Sequence, residues 1–307
     1  MSERHRIHRA LKNFAALGMA VVIACLIVAC TEVPLSPTPT LPVVPFRKTL
    51  RLFWVNSYDA DDLGFQKLRV SALTRLSEAG YSVEAGTLEM GVYHMDTVRF
   101  LTLSKIEPIA DDAITHIQDF NPDVVLVSGD AATLTVIPNY PDMNKPFVFC
   151  DMIGDPDVPG LRRPAVTGVL ANPHPLRTIA MARTFLSESW EGESTGAETD
   201  AEATDTVDRF LVLSDASIAG QSALASTYQA LREIEKEDGP TPSVEVVSDW
   251  TEWQEIAAAA DQTYDFILLL GHRSVQDAEG EVVATDELMA WMVENVSIPI
   301  FSLYNEV

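Results

Sequence analysis

From Leu50 onward, apolar runs of strand length alternate with stretches of helical periodicity, and that alternation leaves few architectures open. A strand that is followed by a helix and then by another strand must cross over, so consecutive strands run parallel and helices cover the sheet. Runs at 50–55, 82–88, 124–128, 147–150, 166–170, 210–214, 244–247, 266–270 and 298–301 read as strands. Helical patterns fall at 63–79, 106–120, 176–186, 220–236, 251–260 and 286–295. So many strands exceed one comfortable sheet, and about 260 folded residues suit two α/β lobes, each a mostly parallel sheet flanked by helices.

The chain before Leu50 has another character. Arg4, Arg6, Arg9 and Lys12 precede an apolar run from Phe14 to Ala29, shorter than the roughly 20 residues that span a bilayer. The run ends in Ile27-Val28-Ala29-Cys30. This is the pattern of a lipoprotein signal, with cleavage before Cys30, lipidation of its sulfur, and everything downstream extracytoplasmic on a bacterial cell membrane or outer membrane. Val22-Ile23-Ala24-Cys25 is a rival site, but cleavage there leaves Leu26-Ile27-Val28 exposed at the new terminus; a plain membrane anchor is the other alternative. Residues 30–48 form a tether in which Pro34, Pro37, Pro39, Pro42 and Pro45 favour extended, unpacked chain. The expected order is therefore a signal peptide at 1–29, the tether, a first lobe at 49–187, an acidic insertion at 188–208 near the hinge, and a second lobe at 209–307.

Charge narrows the partners. The whole chain carries 21 Lys/Arg against 45 Asp/Glu, and loss of the leader makes the balance more negative still. That balance disfavours nucleic acid and anionic lipid surfaces as partners. Loss of the leader and acylation of Cys30 leave Cys150 alone within Phe147-Val148-Phe149, where it reads as a small buried hydrophobe. The insertion at 188–208 holds eight carboxylates and no basic residue; it lacks the ordered ligand spacing of a calcium loop and reads as a solvated segment.

Ligands of parallel α/β sheets bind at the carboxyl ends of the strands, where loops meet helix N-termini. Those loops here are Asn56-Ser57-Tyr58-Asp59, Tyr93-His94-Met95-Asp96-Thr97-Val98-Arg99-Phe100, Ser128-Gly129-Asp130-Ala131-Ala132-Thr133, and Cys150-Asp151-Met152-Ile153-Gly154. Ser214-Asp215-Ala216-Ser217 and Gly271-His272-Arg273 hold the same places in the second half. They supply hydroxyls and carboxylates suited to a polar small molecule. No G-x-G-x-x-G follows a strand, no P-loop or Gly-x-Ser-x-Gly occurs, and the histidines lack metal-ligand spacing. The reading is a binding protein that uses no cofactor and no metal, and not an enzyme.

In order and spacing these segments, with Pro122-Asp123-Val124-Val125, Val166-Thr167-Gly168-Val169, Tyr264-Asp265-Phe266 through Gly271, and Pro299-Ile300-Phe301-Ser302, resemble the ABC-transporter substrate-binding family that includes tryptophan and tyrosine binding proteins. The resemblance implies a periplasmic-binding type I fold, with two hinged lobes that close on a ligand and pass it to an ABC transporter permease. It places the cleft at Asn56, Ser57, Tyr58, Asp96, Arg99, Ser128, Asp130, Ala131 and Asp151 of the first lobe, and at Asp215, Ser217 and Gly271 of the second. The acidic insertion, His94 and Val98 depart from the family pattern.

For an amino-acid ligand, hydroxyls and the N–H groups at the helix start near Ala131 suit the carboxylate, and Asp130, Asp151 or Asp215 suits the ammonium. Tyr58 would stack on an apolar body. Plainer roles stand beside these: Asp130 and Asp215 as helix caps, Asp96 and Arg99 as a structural pair on a turn. A second function also stands, the same module sensing a ligand for a separate membrane partner such as a sensor kinase. Family members continue beyond the last strand with a glycine-rich turn and a return segment, so the second lobe is expected to be truncated at Val307, with apolar surface exposed at one edge.

Overall fold

The computed structural model describes residues 49–191, 209–236 and 241–303. The expected signal peptide, Cys30, the tether and most of the acidic insertion lie outside the described residues. No helix among the described residues is long and apolar enough to cross a membrane.

The first sheet is built from β1 (Leu50–Asn56), β2 (Leu88–His94), β3 (Val124–Ser128), β4 (Phe147–Met152) and β5 (Val166–Leu170), in the spatial order β2-β1-β3-β4-β5. The second contains β6 (Arg209–Ser214), β7 (Thr241–Val246), β8 (Phe266–Leu269) and β9 (Ile300–Ser302), ordered β7-β6-β8-β9. Every pairing is parallel. The central strands β6 and β8 are buried along nearly their whole length, as strands covered on both faces must be. Pro242 falls on the edge strand β7, the place in a sheet where proline is tolerated.

Helices α1 (Leu63–Glu78), α2 (Leu103–Phe120) and α3 (Asp130–Asn139) belong to the first sheet. In α2, Ile106, Ala110, Ala113 and Ile117 recur at helical spacing, and the stripe packs with Val55, Val125, Val127 and Phe149 in one core. The second sheet carries α4 (Pro175–Glu191), α5 (Ile218–Lys236), α6 (Trp250–Ala258) and α7 (Thr285–Asn295). Phe210, Val212, Phe266 and Leu268 face Ile179 and Ala182 of α4 and Ala223 and Leu224 of α5. Leu211, Leu213, Ile267 and Leu269 face Trp253, Leu288 and Met292 on the other side. The chain thus leaves the first sheet after Leu170, and α4 packs on the second sheet, although a division at residue 187 assigns it to the first.

One strand lies elsewhere than its apolar pattern indicates. Residues 82–87 form a turn, and β2 begins only at Leu88, in register with Leu50. The Ser82 N–H donates to Thr87 Oγ1 at 2.8 Å, and the Thr87 hydroxyl donates to the Gly80 carbonyl at 2.9 Å, so local side-chain bonds take the backbone groups a strand would use. Gly91, which weakens the strand signal, is where the Phe53 ring lies; a Cβ there would stand 2.6 Å from Phe53 Cδ2.

Phe210 and Phe266 stack with centroids 4.9 Å apart and planes within 2°. Both are fully buried. Truncating Phe266 to Ala is expected to cost about 3–5 kcal/mol through lost burial and a residual cavity, read as a lower urea midpoint with an unchanged denaturant slope.

Candidate functional site

In each sheet the strand order reverses once, between β1 and β3 in the first and between β6 and β8 in the second. Loops leaving the carboxyl ends of such a strand pair diverge to opposite faces and open a crevice between them. A single cavity is lined from both crevices. Ser57, Tyr58, Thr97, Val98, Ala131, Asp151 and Ile153 come from the first lobe, and Asp215, Ser217, Ile218, Gly220, Gly271, His272, Arg273 and Ser274 from the second.

The first-lobe wall is held by a small hydrogen-bond cluster. The Ser57 hydroxyl donates to the Ser128 carbonyl at 2.8 Å and accepts from the Ala132 N–H at 2.9 Å, which caps α3 from another strand. Gly129, with φ of 83°, lets this approach occur, since a Cβ there would lie 2.6 Å from Ser57 Oγ. Ser128 Oγ donates to Asn56 Oδ1 at 2.9 Å and accepts from the Trp54 indole at 3.0 Å. Asn56 Nδ2 in turn donates to the Tyr58 carbonyl at 3.0 Å. Asn56 and Ser128 are therefore spent on shaping the loop and do not line the cavity.

Asp130 and Asp215 organise the two walls. Asp130, 1 % exposed, accepts from the Ile153 and Gly154 N–H groups at 3.1 and 2.8 Å and so pins the loop after β4 to α3. Burial pushes its pKa above the ordinary value, against the pull of those N–H donors and of Ser222. Asp215 accepts from the Ser217 N–H and hydroxyl through one oxygen and from the Ser274 N–H, 3.0 Å away, through the other. It thereby ties the loop after β6 to the loop after β8. Gly220 packs against it, with room for no Cβ. Asp215 lines the cavity with its acceptor oxygens already engaged; Asp130 stands behind the wall.

Contacts between the lobes close the rim. Asp62 caps α1 through the Phe65 N–H, and its other oxygen pairs with Arg273 from the second lobe. The Arg273 guanidinium lies 4.5 Å over the Tyr58 ring, so that face of Tyr58 meets a cation rather than open cleft. Arg99 pairs with Asp96 at 2.6 Å and approaches Glu281 at 3.7 Å, while Gln276 Nε2 donates to the Arg99 carbonyl at 3.0 Å. Asp96 and Arg99 are a turn pair at the rim, outside the cavity lining.

Of the residues picked from the sequence, Ser57, Tyr58, Ala131, Asp151, Asp215, Ser217 and Gly271 meet at the cavity. Asn56, Asp96, Arg99, Ser128 and Asp130 surround it. Thr97, Ile153, His272, Arg273 and Ser274 also line it, and all but Ser274 stand in the loops that the sequence marks. His272 is 6 % exposed, and burial lowers its pKa to about 4, with Arg273 acting in the same direction and Asp215 opposing. At neutral pH it is an uncharged imidazole. Cys150 lies next to the cavity residue Asp151; burial, helped by that carboxylate, pushes its thiol up to about 12, so it stays protonated.

No protein-family model matches the sequence, and no curated protein sequence matches it. Solved structures are similar in fold. A conserved domain protein from Vibrio cholerae shares 15 % identity over 84 % of this chain and 75 % of its own, with a TM-score of 0.56. An ABC domain in complex with L-Trp from Streptococcus pneumoniae shares 12 % over 83 % and 74 %, with a TM-score of 0.54. A possible leucine/isoleucine/valine-binding protein from Rhodopirellula baltica shares 12 % over 85 % and 63 %, with a TM-score of 0.50. The fold is the two-lobed α/β architecture of periplasmic-binding type I proteins.

Two outcomes test this geometry. Asp62→Asn keeps a capping oxygen and removes the charge that Arg273 faces; it is expected to cost about 3 kcal/mol, the scale for a buried pair losing one member, and to weaken the salt dependence of Tm. His272 has a folded pKa below its unfolded one, so its contribution is present above about pH 6.5 and is lost as pH falls towards about 4. Asp130, with a raised pKa, slopes the other way. Urea unfolding from pH 7 to pH 4 should therefore show wild type losing about 3 kcal/mol relative to His272→Gln.

Proposed function

We propose that this chain is an extracytoplasmic solute-binding lipoprotein, moored through Cys30, that captures a small polar ligand between its lobes and delivers it to an ABC transporter permease. The observation that carries the reading is the cavity at the two strand-order reversals, lined by both lobes and bridged at its rim by Asp62 and Arg273. A ligand there touches both lobes and favours the closed form by its differential contacts with it. The cavity mixes hydroxyls and carboxylates with Val98, Ile106, Ile153, Ile218 and Leu270, which suits a molecule with a polar end and an apolar body, such as an amino acid. The L-Trp complex of the similar Streptococcus pneumoniae structure supports that class. The lipoprotein part rests on the Ala29-Cys30 junction.

Thermal-shift screening against a broad metabolite panel is the direct test. A true ligand at a hundred times its Kd is expected to add about 2.7 kcal/mol of apparent stability. No shift with any metabolite would remove the solute-binding reading. Mass spectrometry of the protein from its native membrane should show a diacylated N-terminal Cys30; an uncleaved leader would remove the anchor.

A further inference from the structure

The charged groups of the cleft are largely engaged by the fold. Asp215 has both oxygens in hydrogen bonds, and Arg273 is paired with Asp62 and stacked on Tyr58. Two neighbouring cavity residues are different. His272 Nε2 and Ser274 Oγ are both buried and have no hydrogen-bond partner among the described residues. The two residues are 6 % and 0 % exposed, and both line the cavity from the loop after β8. Buried polar atoms are nearly always satisfied, and an unsatisfied one costs folding free energy unless something else supplies the bond.

We propose that His272 and Ser274 are the ligand-selecting pair of this cleft, and that they read an uncharged hydrogen-bonding edge such as a nucleobase, an amide or an indole N–H presents. The proposal rests on the solute-binding reading. His272 Nε2 donates or accepts according to the imidazole tautomer, and the Ser274 hydroxyl does both, so the pair can meet an uncharged group that donates, accepts or does both. Asp151 and Asp215 line the same cavity, so an uncharged edge there escapes the like-charge repulsion that a carboxylate would meet. The aliphatic side chains of Ile106, Ile153, Ile218 and Leu270 suit the flat or apolar remainder of such a ligand. Sites built to hydrogen-bond a ligand group reject analogues that lack it strongly, because their own buried groups are then left unpaired.

The test is isothermal titration of the purified protein at pH 8 with adenine, uracil, L-tryptophan, L-glutamine, L-phenylalanine and benzoate, together with Tm of each ligand-free variant. Wild type is expected to bind at least one of the first four in preference to L-phenylalanine and benzoate. Ser274→Ala and His272→Leu should weaken that binding tenfold or more, and His272→Gln should recover part of it. Ligand-free Ser274→Ala should melt no lower than wild type, since it removes an unpaired atom; a purely structural hydroxyl would give a lower Tm with affinity intact, which would overturn the proposal. Preference for benzoate or L-phenylalanine, or unchanged affinity in both variants, would also overturn it. If the broad metabolite panel yields a ligand but none of these six binds, this proposal falls alone; if no metabolite binds, the solute-binding reading falls with it.

Discussion

Parallel pairing of every strand is the constraint on which the rest of this structure depends. A parallel strand cannot be reached by a tight hairpin, so each return must pass through a crossover, usually a helix, and the loops that begin those crossovers gather at the carboxyl ends. Where the order turns back, between β1 and β3 and again between β6 and β8, neighbouring loops are driven apart. The cleft is a consequence of strand order before any side chain is considered. Residues as distant in sequence as Ser57 and Ser274 then line one cavity.

The carboxylates show how a fold consumes groups that look like recognition chemistry. Asp62, Asp130 and Asp215 are each buried, and each holds backbone N–H groups in place: a helix start, the loop after β4, and the two loops of the second wall. A buried charge is tolerable only with such partners. These carboxylates pre-organise the walls, and among the described cavity-lining residues the buried polar atoms without a partner are on His272 and Ser274. Arg273 has a double position, at the rim against Asp62 and in the cavity lining.

Legibility in the sequence followed the strength of the local signal. Buried central strands such as Phe266–Leu269 are nearly continuous apolar runs, and their placement follows from composition alone. The edge strand β2 was obscured because Gly91 yields its space to Phe53, while Ser82 and Thr87 form a turn where apolar residues suggested a strand. The short helix α3 opens with Gly129-Asp130 and is nearly all buried, so it lacks the polar face by which helical periodicity is recognised. Tyr58 was legible as a cleft residue; that Arg273 covers its ring was not, because that contact joins residues more than two hundred positions apart.

The sequence by itself determined the alternation of strands and helices, the two-lobed division of labour, and the set of loops in which a site had to lie. Those properties are local, fixed by the spacing of apolar residues and by the glycine, serine and aspartate residues at the strand ends. Only the tertiary structure decided which of the polar residues are spent on the fold and which face the cavity. Asp130 and Ala131 are neighbours in the chain, yet one ties the loop after β4 to α3 behind the wall and the other lines the site. Burial and the positions of distant hydrogen-bond donors draw that distinction, and both are properties of the packed chain.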